Sequence, residues 1–276
     1  NKSLKYTVSQ KFKEKPKEDY LEEIISTYNL EDRRNAYTGS EGGISKFNIY
    51  SIDPYGCRDI DDAYSLKIVD DQTTLLSIYI SNVSIWLDVL QIWDCFTKTQ
   101  NISTIYLPER KIPMLPTILS ETLCSLLEKE TRIAFTMDLY IKDGSIEDIQ
   151  WKNTIIKVKE NLDYEDSMYL KSTEYISLLE ICKTLNQKYT YLVDGIQNSH
   201  EVVEYLMILM NCEAGKLCEK LNVGIFKIMS LNDVEQEKCQ DHTTIQRKNT
   251  IHHLTLPKEV RKFKKIWNSV GSVYCT

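Results

Sequence analysis

Four aspartates fall within ten residues of the segment Ser51-Ile-Asp-Pro-Tyr-Gly-Cys-Arg-Asp-Ile-Asp-Asp-Ala63: Asp53, Asp59, Asp61 and Asp62. Like charges at this density raise one another's pKa and cost stability unless solvent or a cation offsets them. Short carboxylates offer oxygen donors alone, which suit a hard divalent cation such as Mg²⁺ or Mn²⁺ better than zinc. In an extended stretch Asp59 and Asp61 share a face while Asp62 points away, so convergence requires the Pro54–Gly56 turn to fold the loop. A solvated acidic turn is the plain alternative. An EF-hand fits poorly: with Asp53 in first position, Gly56 stands fourth rather than sixth, and Tyr64 stands where a bidentate Glu belongs. A metal-dependent nucleotide-sugar transferase could use Asp59-x-Asp61, but no further sign of such a pocket accompanies it.

The loop needs strands to present it. Phe47–Ile52 alternates, Ala63–Val69 and Thr73–Ile80 are rich in β-branched and aromatic residues, and Asp70-Asp71-Gln72 marks a turn between the last two. An antiparallel hairpin therefore follows an earlier strand. A second hairpin is predicted from Ile133–Ile141 and Ile146–Ile156 around Lys142-Asp143-Gly144. Residues 18–30 place Leu21, Ile24, Ile25 and Tyr28 at helical spacing, and Gly39–Gly43 then breaks the chain. Beyond the hairpins the period changes: Tyr175, Leu178, Leu179, Cys182, Leu185 and Tyr189 form one helical series, and Val203, Leu206, Met207, Met210, Ala214, Leu217 and Leu221 form another. Asn198 followed by Glu201 is a capped start for the second. Strands first and helices later predict an α+β domain, a mixed and largely antiparallel sheet packed with helices.

The spacing Asp53-Pro54-x4-Asp59-Ile60-Asp61-Asp62-Ala63 resembles the catalytic signature of the ribonuclease II (RNB) family, 3′→5′ exoribonucleases that hydrolyse single-stranded RNA with Mg²⁺. The resemblance continues in order. Tyr106-Leu-Pro-Glu-Arg-Lys-Ile-Pro-Met-Leu-Pro116 with Leu119-Ser-x-x-Leu-Cys-Ser-Leu126 is similar to that family's middle block, and Val203-Glu204-Tyr-Leu-Met-Ile-Leu-Met-Asn211 to its long helix. The resemblance implies that Asp53, Asp59, Asp61 and Asp62 are the metal-binding and catalytic carboxylates of a two-metal-ion hydrolysis releasing nucleoside 5′-monophosphates. It further implies that Tyr106 holds RNA near the catalytic end, that Tyr164 packs at the terminal nucleotide, and that Glu204 reaches the last ribose. Read without the family, Tyr106 and Tyr164 fit equally well as ordinary tyrosines, and Glu204 with Asn211 fits a hydrogen-bonded pair on one helix face. The implied partition is an N-terminal basic segment, helix and linker over 1–46 and an RNB-like catalytic domain over 47–276, lacking its C-terminal part. The family's Thr-Ser-Pro-Ile-Arg-Arg-Tyr segment, whose arginine contacts the phosphate, is not reached by Thr276. A catalytically decayed RNB fold serving as an RNA-binding or scaffold protein is the competing reading, opposed by the intact set of four aspartates.

Composition bounds these readings. The chain has 276 residues, 42% hydrophobic and 27% charged, with no apolar run near the roughly 18 residues of a membrane span. Its eight cysteines form no C-x-x-C, so reduced thiols in an intracellular, cytoplasmic setting are expected. Net charge is −6, which argues against coating nucleic acid by bulk attraction. Both ends are nevertheless basic, with six lysines against Glu14 up to Lys17 and seven basic residues against Glu259 between Arg247 and Lys265.

Overall fold

In the computed structural model, which describes residues 2–34, 47–97, 104–107, 109–189 and 195–223, two helices come first. The basic N-terminal segment forms α1 (Lys2–Glu14), with Leu4 and Val8 as its fully buried face. Pro16, with no N–H to continue the helix, separates it from α2 (Lys17–Thr27), the helix predicted from residues 18–30. The basic stretch 247–265 lies outside the described residues.

The strands follow: β1 (Leu30–Asp32), β2 (Tyr50–Asp53), β3 (Asp62–Ile68) and β4 (Thr73–Ser81). Two short helices, α3 (Val83–Val89) and α4 (Trp93–Thr97), then lead to a small hairpin of β5 (Ile105–Leu107) and β6 (Arg110–Ile112). A single π-helical stretch over Ile118–Leu123 precedes the long hairpin β7 (Thr131–Lys142) and β8 (Ser145–Lys157), and β9 (Glu160–Asp163) closes the series. Asp143 and Gly144, with φ of 49° and 66°, make the two-residue turn that matches the strands' twist. Helices α5 (Thr173–Lys188) and α6 (Ser199–Lys220) end the described chain, α6 opening with a full capping box between Asn198 and Glu201.

The main sheet has the order β1-β8-β7-β4-β3-β2-β9. Its interior pairs are antiparallel, and its two edges, β1 on β8 and β9 on β2, are parallel. The fold is thus α+β with a mixed, largely antiparallel sheet. The chain divides into two compact units, residues 1–181 and 182–276, with the sheet in the first.

Register sorts the sheet's residues onto two faces, because residues directly opposite share a face. One face carries Ser65 opposite Ser77, Ser77 opposite Asp138, Tyr79 opposite Thr136, and Ala134 opposite Thr154. Into this polar patch reaches Arg33, the residue after β1. Its guanidinium donates to both carboxylate oxygens of Asp138 at 2.9 and 2.6 Å and to the hydroxyls of Ser77 and Tyr79, while Ser77 Oγ donates to Asp138 at 2.6 Å. Arg33 is 3% exposed and Asp138 fully buried. Burial opposes both charges, yet these bonds keep Arg33 protonated and Asp138 below the usual carboxylate range. The same face continues into an apolar cluster of Ile49, Ile60, Ala63, Leu126, Ala134, Ile156 and Val158. The opposite face is apolar through Tyr64, Ile78 and Met137, and through Leu66, Leu76 and Leu139.

Candidate active site

The carboxylate loop is the connection from β2 to β3. Asp53 is the last residue of β2, and the Cys57 N–H bonds back to Pro54 O at 2.9 Å, closing a turn whose third residue is Gly56 at φ +77°. Glycine alone takes that φ without strain, so the turn predicted from Pro54–Gly56 forms for the expected reason. The returning limb is held by backbone and one serine. Ser125 Oγ accepts from Ile60 N at 3.0 Å and donates to Arg58 O at 2.8 Å; Leu126 N bonds Ile60 O, and Ser81 N bonds Asp61 O. Asn161, on β9, donates through Nδ2 to Ser51 Oγ at 2.9 Å and Leu126 O at 3.0 Å, and its Oδ1 accepts from Glu128 N at 2.7 Å. Both buttresses lie inside stretches that resemble the family, but their supporting roles appear only in three dimensions.

Ser125 is fully buried and satisfies two backbone groups at once. Replacing it by alanine leaves a donor and an acceptor without partners, at a cost of about 1–3 kcal/mol. Urea unfolding of Ser125→Ala measures this directly, and a loss below about 0.5 kcal/mol would show that the limb is held by other means.

The environment of the carboxylates is strained electrostatically. Burial pushes Asp53 up to about 6, with the charges of Asp61 and Asp59 adding to it and a hydrogen bond from Ser51 opposing it. Asp53 Oδ2 is buried with no hydrogen-bond partner among the described residues. Asp62 opens β3 opposite Ile80, which itself stands opposite Phe135, so its carboxyl shares the apolar face of the sheet. Burial there, with Asp53 and Asp61 close by, pushes it up to about 8. Residues 57–61 precede β3 rather than extend it. Asp59 is ion-paired with Lys111 of β6. Its neighbour Cys57 holds its Sγ 3.7 Å from Asp59 Oδ1, and burial with the charges of Asp53 and Asp59 raises that thiol to about 11.

Of the other sequence candidates, Tyr164 lies at this loop. It follows Asp163, which stands beside Asp53 in the parallel β2–β9 register, and Asp163 Oδ1 accepts from Glu165 N to shape the turn. Burial raises the Tyr164 hydroxyl to about 12, with Asp62 and Asp53 contributing. Tyr106 is in β5 directly opposite Lys111; its side chain lies outside what the structure describes. Glu204 is exposed on α6, in the second unit. Lys111 was not singled out from sequence, where it is one basic residue in Glu-Arg-Lys.

Does this donor set fit a divalent cation? Among the described residues no three His, Cys, Asp or Glu side chains are gathered as a finished metal site. The chemistry fits nonetheless: an orphaned carboxylate oxygen on Asp53, and burial together with like-charged neighbours that hold its pKa and that of Asp62 well above the ordinary carboxylate value, are what an added cation would relieve. Binding would deprotonate Asp62 and compete with Lys111 for Asp59.

A family model described as the RNB domain matches residues 43–174. Ribonuclease R of Ureaplasma parvum is 42% identical over 114 residues, covering 41% of this chain but only 15% of the relative. Among solved structures, Mycoplasma genitalium RNase R in complex with ribose methylated single-stranded RNA has the same fold, with a TM-score of 0.60 at 18% identity over 79% of this chain and 38% of its own. Yeast Ssd1, a pseudonuclease, aligns with a TM-score of 0.53 at 14% identity over 63% of this chain and 25% of its own. The chain thus spans well under half the length of these relatives.

Proposed function

We propose that the protein is a hydrolytic 3′→5′ exoribonuclease acting on single-stranded RNA and releasing nucleoside 5′-monophosphates, a reading supported by the match of residues 43–174 to the RNB domain model and by the likeness in sequence and in fold to RNase R. The observation that carries this reading is the loop itself: four aspartates, of which Asp53 has an orphaned oxygen and Asp62 an apolar setting that favours its neutral form. Residues 47–276 are then the catalytic region, with 1–46 preceding it.

In this reading Asp53, Asp59, Asp61 and Asp62 hold Mg²⁺, or Mn²⁺ in its place. Divalent cations held there would supply acidified water and charge neutralisation at the scissile phosphate. The remaining work belongs to the chain. Tyr164, half-buried and near enough to Asp62 and Asp53 to feel their charges, packs the terminal nucleotide. Tyr106 holds the strand just before it, and Glu204 reaches the last ribose. Stacking on such aromatics contributes about 1–3 kcal/mol per base with little sequence preference, and 2′-hydroxyl contacts select RNA. The six described cysteines are all free thiols, which supports a cytoplasmic setting. Among the described residues no helix is long and apolar enough to cross a membrane.

Isothermal titration with Mn²⁺ tests the reading. Binding is expected, and Asp61→Asn is expected to weaken it by roughly tenfold or more, as loss of one charged ligand from a carboxylate site should. Equal affinity in the variant would remove the loop as the metal centre. One observation favours a second reading, a decayed RNB fold that binds RNA without cutting it: Lys111 already neutralises Asp59. Absence of Mn²⁺ binding by the unmodified protein would favour it.

A further inference from the structure

The ion pair between Lys111 and Asp59 joins two parts of the molecule that the proposed function uses separately. Asp59 belongs to the carboxylate loop. Lys111 belongs to the β5–β6 hairpin, where it stands directly opposite Tyr106 in the register. The pair is half-buried, with the lysine side chain 30% and the aspartate side chain 25% exposed.

We infer that Lys111 is an internal counter-ion that competes with a divalent cation for Asp59, and that displacing it frees the β5–β6 hairpin from the carboxylate loop. The inference rests on the metal-binding reading above. An ammonium group and a divalent cation cannot both occupy the same carboxylate oxygens at contact distance without mutual repulsion. Whichever binds must therefore weaken the other, and the coupling is reciprocal: cation binding loosens the hairpin by the same factor by which the hairpin's lysine weakens the cation. Because the hairpin carries Tyr106 one register position across from Lys111, the step that fills the metal centre also changes the freedom of the residue proposed to grip RNA. Before loading, the ammonium offsets part of the loop's negative charge. After loading, that offset is no longer needed, and Lys111 becomes available to a phosphate of the incoming strand.

The test uses the full chain and Mn²⁺ alone, read by calorimetry and by hydrogen exchange rather than by cleavage. Lys111→Met keeps the length of the side chain and removes its charge. It is expected to bind Mn²⁺ roughly fivefold more tightly than the unmodified protein, the lower end of ordinary coupling between sites, whereas Lys111→Arg keeps the weaker affinity. In an Asp59→Asn background the same Lys111→Met change is expected to have less than about a twofold effect, because the contested carboxylate is gone. Amide exchange across residues 105–112 is expected to speed up when Mn²⁺ is added to the unmodified protein and to be insensitive to Mn²⁺ in Lys111→Met. Equal Mn²⁺ affinity in Lys111→Met and the unmodified protein overturns the competition. So does a fivefold gain that persists in Asp59→Asn, which would mean a diffuse field effect. If Mn²⁺ binds with the expected competition but exchange over 105–112 does not change, the release of the hairpin is overturned. Failure of every variant to bind Mn²⁺ would remove the metal-centre reading along with this one, whereas normal binding with no Lys111 effect would remove this one alone.

Discussion

In the proposed exoribonuclease reading, Asp62→Asn is expected to lower RNA cleavage by about 10²–10³-fold or more while keeping the affinity for single-stranded RNA. In that reading the strand is held along its length by stacking and phosphate contacts, which the substitution does not touch. Charge develops only at the scissile phosphate, so loss of one carboxylate falls on the transition state rather than on the bound ground state. Stability should move the other way. Asp62 is raised to about 8 by its apolar setting and its acidic neighbours, so without a cation it is largely neutral at pH 7, and a neutral amide of the same shape costs the fold little or relieves it. End-labelled RNA on a sequencing gel, a binding titration and a thermal melt read the three quantities separately. Cleavage that persists in the variant would remove Asp62 from the chemistry. Internal fragments from the unmodified chain would point to an endonuclease.

The second large effect is on stability and lies at the other end of the sheet. Arg33→Met is expected to destabilise the protein by about 3–5 kcal/mol, because it strands Asp138 as a buried carboxylate whose remaining cation, Lys152 at 3.1 Å, sits at the edge of the pocket. Removing both charges together, in Arg33→Met with Asp138→Leu, should restore much of the loss, since a buried ion pair and an apolar pair of similar volume are of comparable stability. Urea unfolding of the two single variants and the double variant measures the coupling. A loss below about 1 kcal/mol in Arg33→Met would mean that water reaches the pair and that β1 is held by its backbone alone.

How much of this could be read from the sequence follows from which interactions are local. The hairpins at Asp70–Gln72 and Asp143–Gly144 were legible, as was the capping box at Asn198, because turn chemistry and alternation are written within a few adjacent residues. The carboxylate loop was legible for the same reason. The strand β1 was not: three residues, Leu30-Glu31-Asp32, carry no period, and their pairing is with Asn153–Ile155, far along the chain. Nothing near Arg33 in sequence announces Asp138. The same limit applies to Ser125 and Asn161, whose hydrogen bonds to the loop connect segments many residues apart. Lys111 sat inside a recognisable block but was invisible as a partner for Asp59, because ion pairing depends on how the small hairpin folds over the loop.

The separation of 105 residues between Arg33 and Asp138 also sets an order on synthesis. A ribosome delivers Arg33 early, and the partner that neutralises it emerges only after the whole of β2, β3 and β4 has been made. At about 5–20 residues per second, this leaves several seconds during which the nascent N-terminal helices exist without a sheet edge to join. During that interval Arg33 stays hydrated and β1 has no strand to pair with, since β8 ends at Lys157. β1 can therefore join the sheet only after β8, its sole partner strand among the described residues, has been made.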